Sequence, residues 1–245
     1  PLFVLALCGF GFKAGLMPAH VWLPGAHANA PSHVSAVMSG VMLKMGIYGI
    51  VRAVALLPVG DVWWGGALLV IGAISCVGGI AFAIGQRDIK RLLAYSSIEN
   101  VGIIALGLGL ALTGRAADRG DWVVLGLCGA LLHVWNHGLF KGLLFLNAGA
   151  LIHATGTRDM EVMGGLAKRA PRMMMLFAVG AVAICALPPF NGFVSEWLLY
   201  AGFFCAVGVK GAGELPAVSL AAVALAMTGA LAVACFVNML GRVYL

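Results

Sequence analysis

The chain has 245 residues, 62% hydrophobic and only 10% charged, with a formal net charge of +6. A water-soluble domain carries roughly 25% charged residues, so the composition excludes water as the main solvent and points to one polytopic membrane domain. Nucleic-acid binding is excluded as well: the basic residues sit in short links between apolar runs, not along a surface helix or beside aromatic platforms.

Pro1 leads straight into an apolar run with no basic stretch before it, so residues 2–12 do not read as a secretory signal. Both ends read as cut edges of a larger subunit. Crossing about 30 Å of hydrocarbon takes about twenty helical residues, and seven apolar spans meet that need, at 2–18, 33–57, 62–85, 92–113, 122–154, 172–207 and 216–241.

The first span carries Lys13 near its end, where a lysine can snorkel to the interface. Beyond it, Pro18 and Pro24 in MPAHVWLPGA predict an interrupted helix, because proline removes a backbone donor and clashes with the preceding turn. His20, His27 and His33 fall in or beside this break. Their H-x6-H-x5-H spacing matches no strong metal pattern, so they read as loop histidines shaping the break, with His20 a secondary candidate for proton uptake. Lys44, in SGVMLKMGIYG, lies near the middle of the second span, where a charge costs about 2.5–3.5 kcal/mol and neither surface is within reach. Glu99 in AYSSIENVG falls within the first two turns of the fourth span, so it reads equally as an interfacial acid and as a secondary proton-transfer residue.

The fifth span holds His133, His137 and Lys141 in LLHVWNHGLFKG. Their i, i+4, i+8 spacing forms one stripe about 12 Å long on a helix. Imidazole can accept on one nitrogen while donating from the other, and an amine moved out of water can trade its proton, so the stripe reads as a proton path. A zinc site is the weaker reading, because no nearby carboxylate or thiolate completes a ligand set; no metal is expected. In the sixth span, Pro188 and Pro189 in ALPPFNGF predict a second interrupted helix, and Glu196 follows it closely. Unwound backbone at membrane depth is tolerated only where protein buries it or it lines a wet cavity. The two breaks lie five spans apart, an odd offset that makes their segments cross in opposite directions, as in an inverted repeat.

If the spans alternate, one face holds Arg87, Lys90, Arg91, Arg158, Lys168, Arg169, Arg172 and Arg242, and the other Arg52, Arg115, Arg119 and Lys210. The excess places the first face in the cytoplasm. The six cysteines are scattered without ligand spacing and read as small packing residues.

Taken together, GFKAGLMPAHVWLPGAHANAPSHVSAVMSGVMLKMGIYGIVR, RLLAYSSIENVG, HVWNHGLFKGLLFLNAGALIHATGTRDMEVMGGLAKRAP and ALPPFNGFVSEWLLY resemble the antiporter-like membrane subunits of respiratory complex I and its relatives, over nearly the whole chain. The wording looks most like the hydrogenase-4 and formate hydrogenlyase branch, and multisubunit cation/proton antiporters remain alternatives. The resemblance implies an inverted-repeat bundle with one interrupted helix per repeat, residues 1–58 ending the first repeat and 62–243 forming the second. It implies that Lys13 is the lysine of the first broken helix and Lys44 the link between half-channels. His133, His137 and Lys141 are then connecting charges, and Glu196 the terminal ion carrier. The family's paired glutamate, which modulates the first lysine, has no counterpart in this sequence. The implied setting is the inner membrane of a bacterium or archaeon, with other membrane and peripheral subunits as partners, protons or sodium as the moving ion, and every redox cofactor in those other subunits; no cofactor is expected here.

Overall fold

A computed structural model describes residues 1–207 and 215–245. Among these the chain is helical, and its only β feature is an isolated bridge between Asp88 and Asp159. In chain order the helices are α1 (Leu2–Ala14), α2 (Trp22–Asn29), α3 (Ser32–Val37), a π-helical turn (Met38–Met42), α4 (Leu43–Leu56), α5 (Trp63–Ile84), α6 (Ile89–Ala116), α7 (Gly120–Thr155), α8 (Leu166–Arg169), α9 (Pro171–Ile184), α10 (Asn191–Val207) and α11 (Leu215–Tyr244). Among the described residues, five stretches are long and apolar enough to cross a membrane uninterrupted: Ser32–Leu56, Trp63–Ile84, Ile89–Ala116, Gly120–Thr155 and Pro216–Tyr244. The pairs α1/α2 and α9/α10 add two interrupted crossings, so the protein is an all-α, multi-pass membrane bundle.

The first span differs from its expected limits. It does not end at residue 18: α1 stops at Ala14, where Gly15 adopts a left-handed φ of 82° and returns its N–H to Gly11 O and Phe12 O. Only a residue without Cβ takes that conformation freely. The chain resumes as α2 through Asn29. Pro18 lies in the break, but Pro24 does not interrupt anything; it sits in the first turn of α2, where its missing N–H would have had no intrahelical partner anyway. Protein supplies what lipid cannot at this depth: Met17 N donates to Ser75 Oγ of α5 at 2.9 Å, and Trp22 Nε1 donates to Phe12 O at 3.0 Å.

The second break spans residues 185–190 and contains Pro188 and Pro189. Asn136 of α7 braces it by donating to Asn191 O at 2.8 Å, while Asn191 Nδ2 donates back to Asn136 Oδ1 at 2.8 Å. Between the breaks, α6 lies at the centre of the bundle, buried along nearly its whole length. Glycines press α5 onto it. A Cβ on Gly79 would lie 2.5 Å from Glu99 N, and one on Gly102 would lie 2.5 Å from Cys76 N, so only small residues permit this approach. The continuous 36-residue α7 is about 54 Å long at 1.5 Å per residue, so it extends past the hydrocarbon or tilts rather than breaking.

The links after the first, third and fifth crossings meet at one end. Ile89 N donates to Arg158 O at 3.1 Å and Met160 N to Arg87 O at 3.0 Å; Arg158 also reaches Ala28 O, and Lys90 reaches Ala30 O. At the other end Arg115 holds Val54 O at 2.9 Å and Leu57 O at 3.3 Å. Lys210, counted on the less basic face, lies outside the described residues.

Candidate functional site: a buried line of lysine, histidine and carboxylate

Lys44 emerges two residues past the π-helical turn and donates to Ser39 O within it. A π turn widens the helix and offers a carbonyl out of the α register, and such turns recur at functional positions. Nζ of Lys44 also meets His137 Nδ1 of α7 at 2.6 Å. With Lys44 as the ammonium, Nδ1 accepts and Nε2 carries the ring proton; that nitrogen is buried without a protein partner. Lys44 lines an open, largely apolar groove of about 660 Å³ between α4 and α7, bordered by Gly40, Tyr48, Trp135 and Gly138.

Lys141 is fully buried, with 0% exposure. It donates to Leu93 O at 2.9 Å and Ser96 Oγ at 2.5 Å, both on α6. Leu93 O also accepts from Ser97 Oγ at 2.9 Å. That commits the single Ser97 proton, so Ser39 donates to Ser97 across 2.8 Å. Lys44 and Lys141 are thus tied through Ser39, Ser97 and Leu93.

Glu99 is no interfacial acid: it is 1% exposed. The reason is the helix start. Asp88 caps α6 by accepting from Lys90 N at 2.8 Å and Arg91 N at 3.3 Å, so the helix begins at Ile89 rather than 92, and Glu99 lies about 15 Å inside it. Glu196 is 7% exposed and borders a cavity of about 320 Å³ between α10 and α11, with Leu187, Phe193, Tyr200 and Gly229.

His133 joins α6, α7 and α10. Its Nε2 lies 3.1 Å from Asn100 Oδ1; the Asn100 amide donates to Ser96 O at 2.8 Å, which assigns the oxygen as acceptor and Nε2 as donor. Its Nδ1 lies 2.9 Å from Ser195 Oγ, which is also 2.8 Å from Gly192 O. Ser195 has one proton for two acceptors. A neutral His133 takes it; a protonated His133 donates instead and turns the hydroxyl onto the first turn after the break.

The remaining candidates stand apart from this line. Lys13 lies on the exposed face of α1 and makes no hydrogen bond or ion pair among the described residues. His20 is half-buried, 6.4 Å from the Tyr95 ring, and His33 is exposed. His27 is not a loop residue but part of α2, and fully buried. No three His, Cys, Asp or Glu side chains converge as a metal site among the described residues. Sequence reasoning missed Ser39, Asn136 and Ser195 and the connecting role of Ser96, Ser97 and Asn100; the usable signal was hydroxyl and amide residues at i, i+4 spacing inside otherwise apolar spans.

Comparison with known proteins follows this geometry. The family described as NADH:quinone oxidoreductase/Mrp antiporter, TM, matches residues 2–210. Hydrogenase-4 component B of Escherichia coli (strain K12) is 51% identical over 98% of this chain and 36% of its own length. Formate hydrogenlyase subunit 3 of the same organism is 44% identical over 100% of this chain and 40% of its own. The chain therefore spans well under half of these relatives. Among solved structures, the membrane-bound sulfane sulfur reductase, an archaeal respiratory membrane complex, superposes with a TM-score of 0.83 at 30% identity, over 99% of this chain and 38% of that one. The chain belongs to the NADH:quinone oxidoreductase/Mrp antiporter transmembrane family.

Proposed function

We propose that this chain is the proton-translocating part of a membrane subunit in a complex of the hydrogenase-4 or formate hydrogenlyase type, working with peripheral redox subunits and other membrane subunits. The single observation that carries the reading is the set of ionisable groups inside the bundle: half-buried Lys44 meets His137 and is tied through Ser39, Ser97 and Leu93 to buried Lys141, while Glu99 and Glu196 lie buried on α6 and α10. An apolar anchor has no use for a buried lysine, a half-buried one and two buried carboxylates inside its spans, each costly to insert.

In this mechanism a proton on Lys44 is repelled by one on Lys141, and Glu99 draws the Lys141 proton onward to Glu196, which releases it into its cavity. Redox chemistry in partner subunits sets the order of these steps. Lys13 belongs to a separate half-channel, and its exposed position on α1 leaves it free to meet a carboxylate from a neighbouring helix. Residues 1–58 and 62–243 are portions of two inverted repeats, and the face bearing Arg87, Lys90 and Arg158 is cytoplasmic. In vesicles holding the complete complex, Lys141→Ala and Glu196→Gln should each abolish proton translocation while redox turnover continues. Translocation at the native rate in both variants ends the reading. The family description also names the Mrp antiporter, which supports a second reading as a cation/proton exchange subunit; that reading requires a sodium gradient to move protons in vesicles without any redox partner.

A further inference from the structure

Resting on that reading, we propose that His133 is a positioning residue and not a proton carrier: a strut that fixes the first turn of α10, and with it Glu196, against α6 and α7. The ring is 1% exposed. Both nitrogens are engaged, Nε2 with Asn100 Oδ1 at 3.1 Å and Nδ1 with Ser195 Oγ at 2.9 Å. A histidine that passes protons on needs a group on each side within hydrogen-bond reach that gives or takes one. His133 has an amide on one side and a hydroxyl on the other.

Both branches end on groups that do not trade protons. The Asn100 amide donates onward to Ser96 O at 2.8 Å, a backbone carbonyl. Ser195 Oγ is 2.8 Å from Gly192 O, another carbonyl, and 3.2 Å from Asn136 Nδ2. That nitrogen is a donor, because it also reaches Asn191 O at 2.8 Å and a carbonyl only accepts. A proton added to the ring therefore has no onward acceptor, and one removed has no replacement. Nor does His133 border the groove beside Lys44 or the cavity beside Glu196, where water would complete a path.

His137, one turn along the same stripe, has the opposite arrangement. Its Nδ1 meets the Lys44 amine at 2.6 Å, and its Nε2 has no hydrogen-bond partner among the described residues. Helical spacing aligns the two rings, but only His137 has a titratable neighbour and a free nitrogen.

What His133 holds is α10. From α7, Asn136 exchanges hydrogen bonds with Asn191, and His133 and Asn136 together grip Ser195. Glu196 follows Ser195 and so lies about 100° further round the helix. Pinning Ser195 toward α7 thereby turns Glu196 away from it, to the cavity between α10 and α11. Without the strut, α10 is free to rotate and the acid leaves that cavity.

The experiment measures protons translocated per redox turnover in vesicles of the complete complex carrying His133→Gln, His133→Leu, Ser195→Ala or Lys141→Ala. Glutamine does not titrate, yet its oxygen accepts from Ser195 and its nitrogen donates to Asn100. His133→Gln should keep at least about half the native ratio, whereas His133→Leu, which makes neither bond, should lower it at least about tenfold. Ser195→Ala cuts the strut at its other end and should lower the ratio too. A purely structural role would reduce the amount of assembled complex and leave the ratio of the remainder unchanged, so a native ratio in His133→Leu or Ser195→Ala overturns the proposal. A ratio in His133→Gln as low as in His133→Leu makes the ring a carrier and overturns it as well. So does failure of His133→Gln to assemble, because that variant supplies every bond the strut makes. Lys141→Ala tests the underlying reading: a native ratio there means that the proton line itself is wrong, whereas its loss beside an equally inactive His133→Gln removes only the strut.

Discussion

Replacing Gly79 by alanine tests whether the spacing of α5 and α6 controls Glu99. The added methyl would lie 2.5 Å from Glu99 N, 2.9 Å from Glu99 Cα and 3.0 Å from Tyr95 O, all of them backbone or backbone-attached atoms that cannot swing aside. Ordinary contact needs about 3.5 Å, so the helices must part by about 1 Å at that level. Overpacking of this kind costs about 1–3 kcal/mol, offset by the roughly 0.5–1 kcal/mol that alanine gains over glycine inside a helix. A net loss of about 1–2 kcal/mol is expected. The functional cost is larger, because a displacement of about 1 Å at a reacting group can slow its step up to about a hundredfold. Gly66 on the same helix is the control, since a Cβ there meets nothing within 4 Å. Thermal unfolding of the purified complex and proton translocation per turnover should both fall for Gly79→Ala and hold or improve for Gly66→Ala. Equal behaviour of the two variants refutes the idea that this helix contact positions Glu99.

Two further outcomes follow from the same geometry. Lys44→Arg should assemble, because the open groove of roughly 660 Å³ beside it leaves room for the larger head group, but translocation should drop at least about tenfold, since a guanidinium does not give up its proton; a flux assay on vesicles decides. Ser195→Ala takes the hydroxyl from His133 Nδ1 and Asn136 Nδ2 and should cost about 1–3 kcal/mol, read as a lowered unfolding temperature with slowed translocation.

Legibility in the sequence followed the size of the physical penalty. Charges in lipid and prolines in helices cost several kcal/mol wherever they fall, so Lys44, Lys141, Glu196 and both breaks stood out from composition alone. The His133, His137, Lys141 stripe was readable because helix periodicity is a local property. Where the penalty depended on a neighbour, reading failed. Pro24 looked like a breaker until α2 placed it in a first turn, and Glu99 read equally as interfacial or as a proton-transfer residue until Asp88 moved the helix start.

The apolar composition, the seven crossings and the presence of ionisable groups inside them were thus determined by the sequence, since each is a property of a residue and its nearest turn. Tertiary structure alone decided the connections. Nothing in the chain order indicates that Ser39 meets Ser97, that His133 shares Ser195 with the second break, or that His27 lies buried beside Phe145 while Lys13 faces outward. Those pairings join residues as many as 118 positions apart, and they follow from helix packing set by glycine approach and by side chains that satisfy unwound backbone, forces that act only once the bundle has formed.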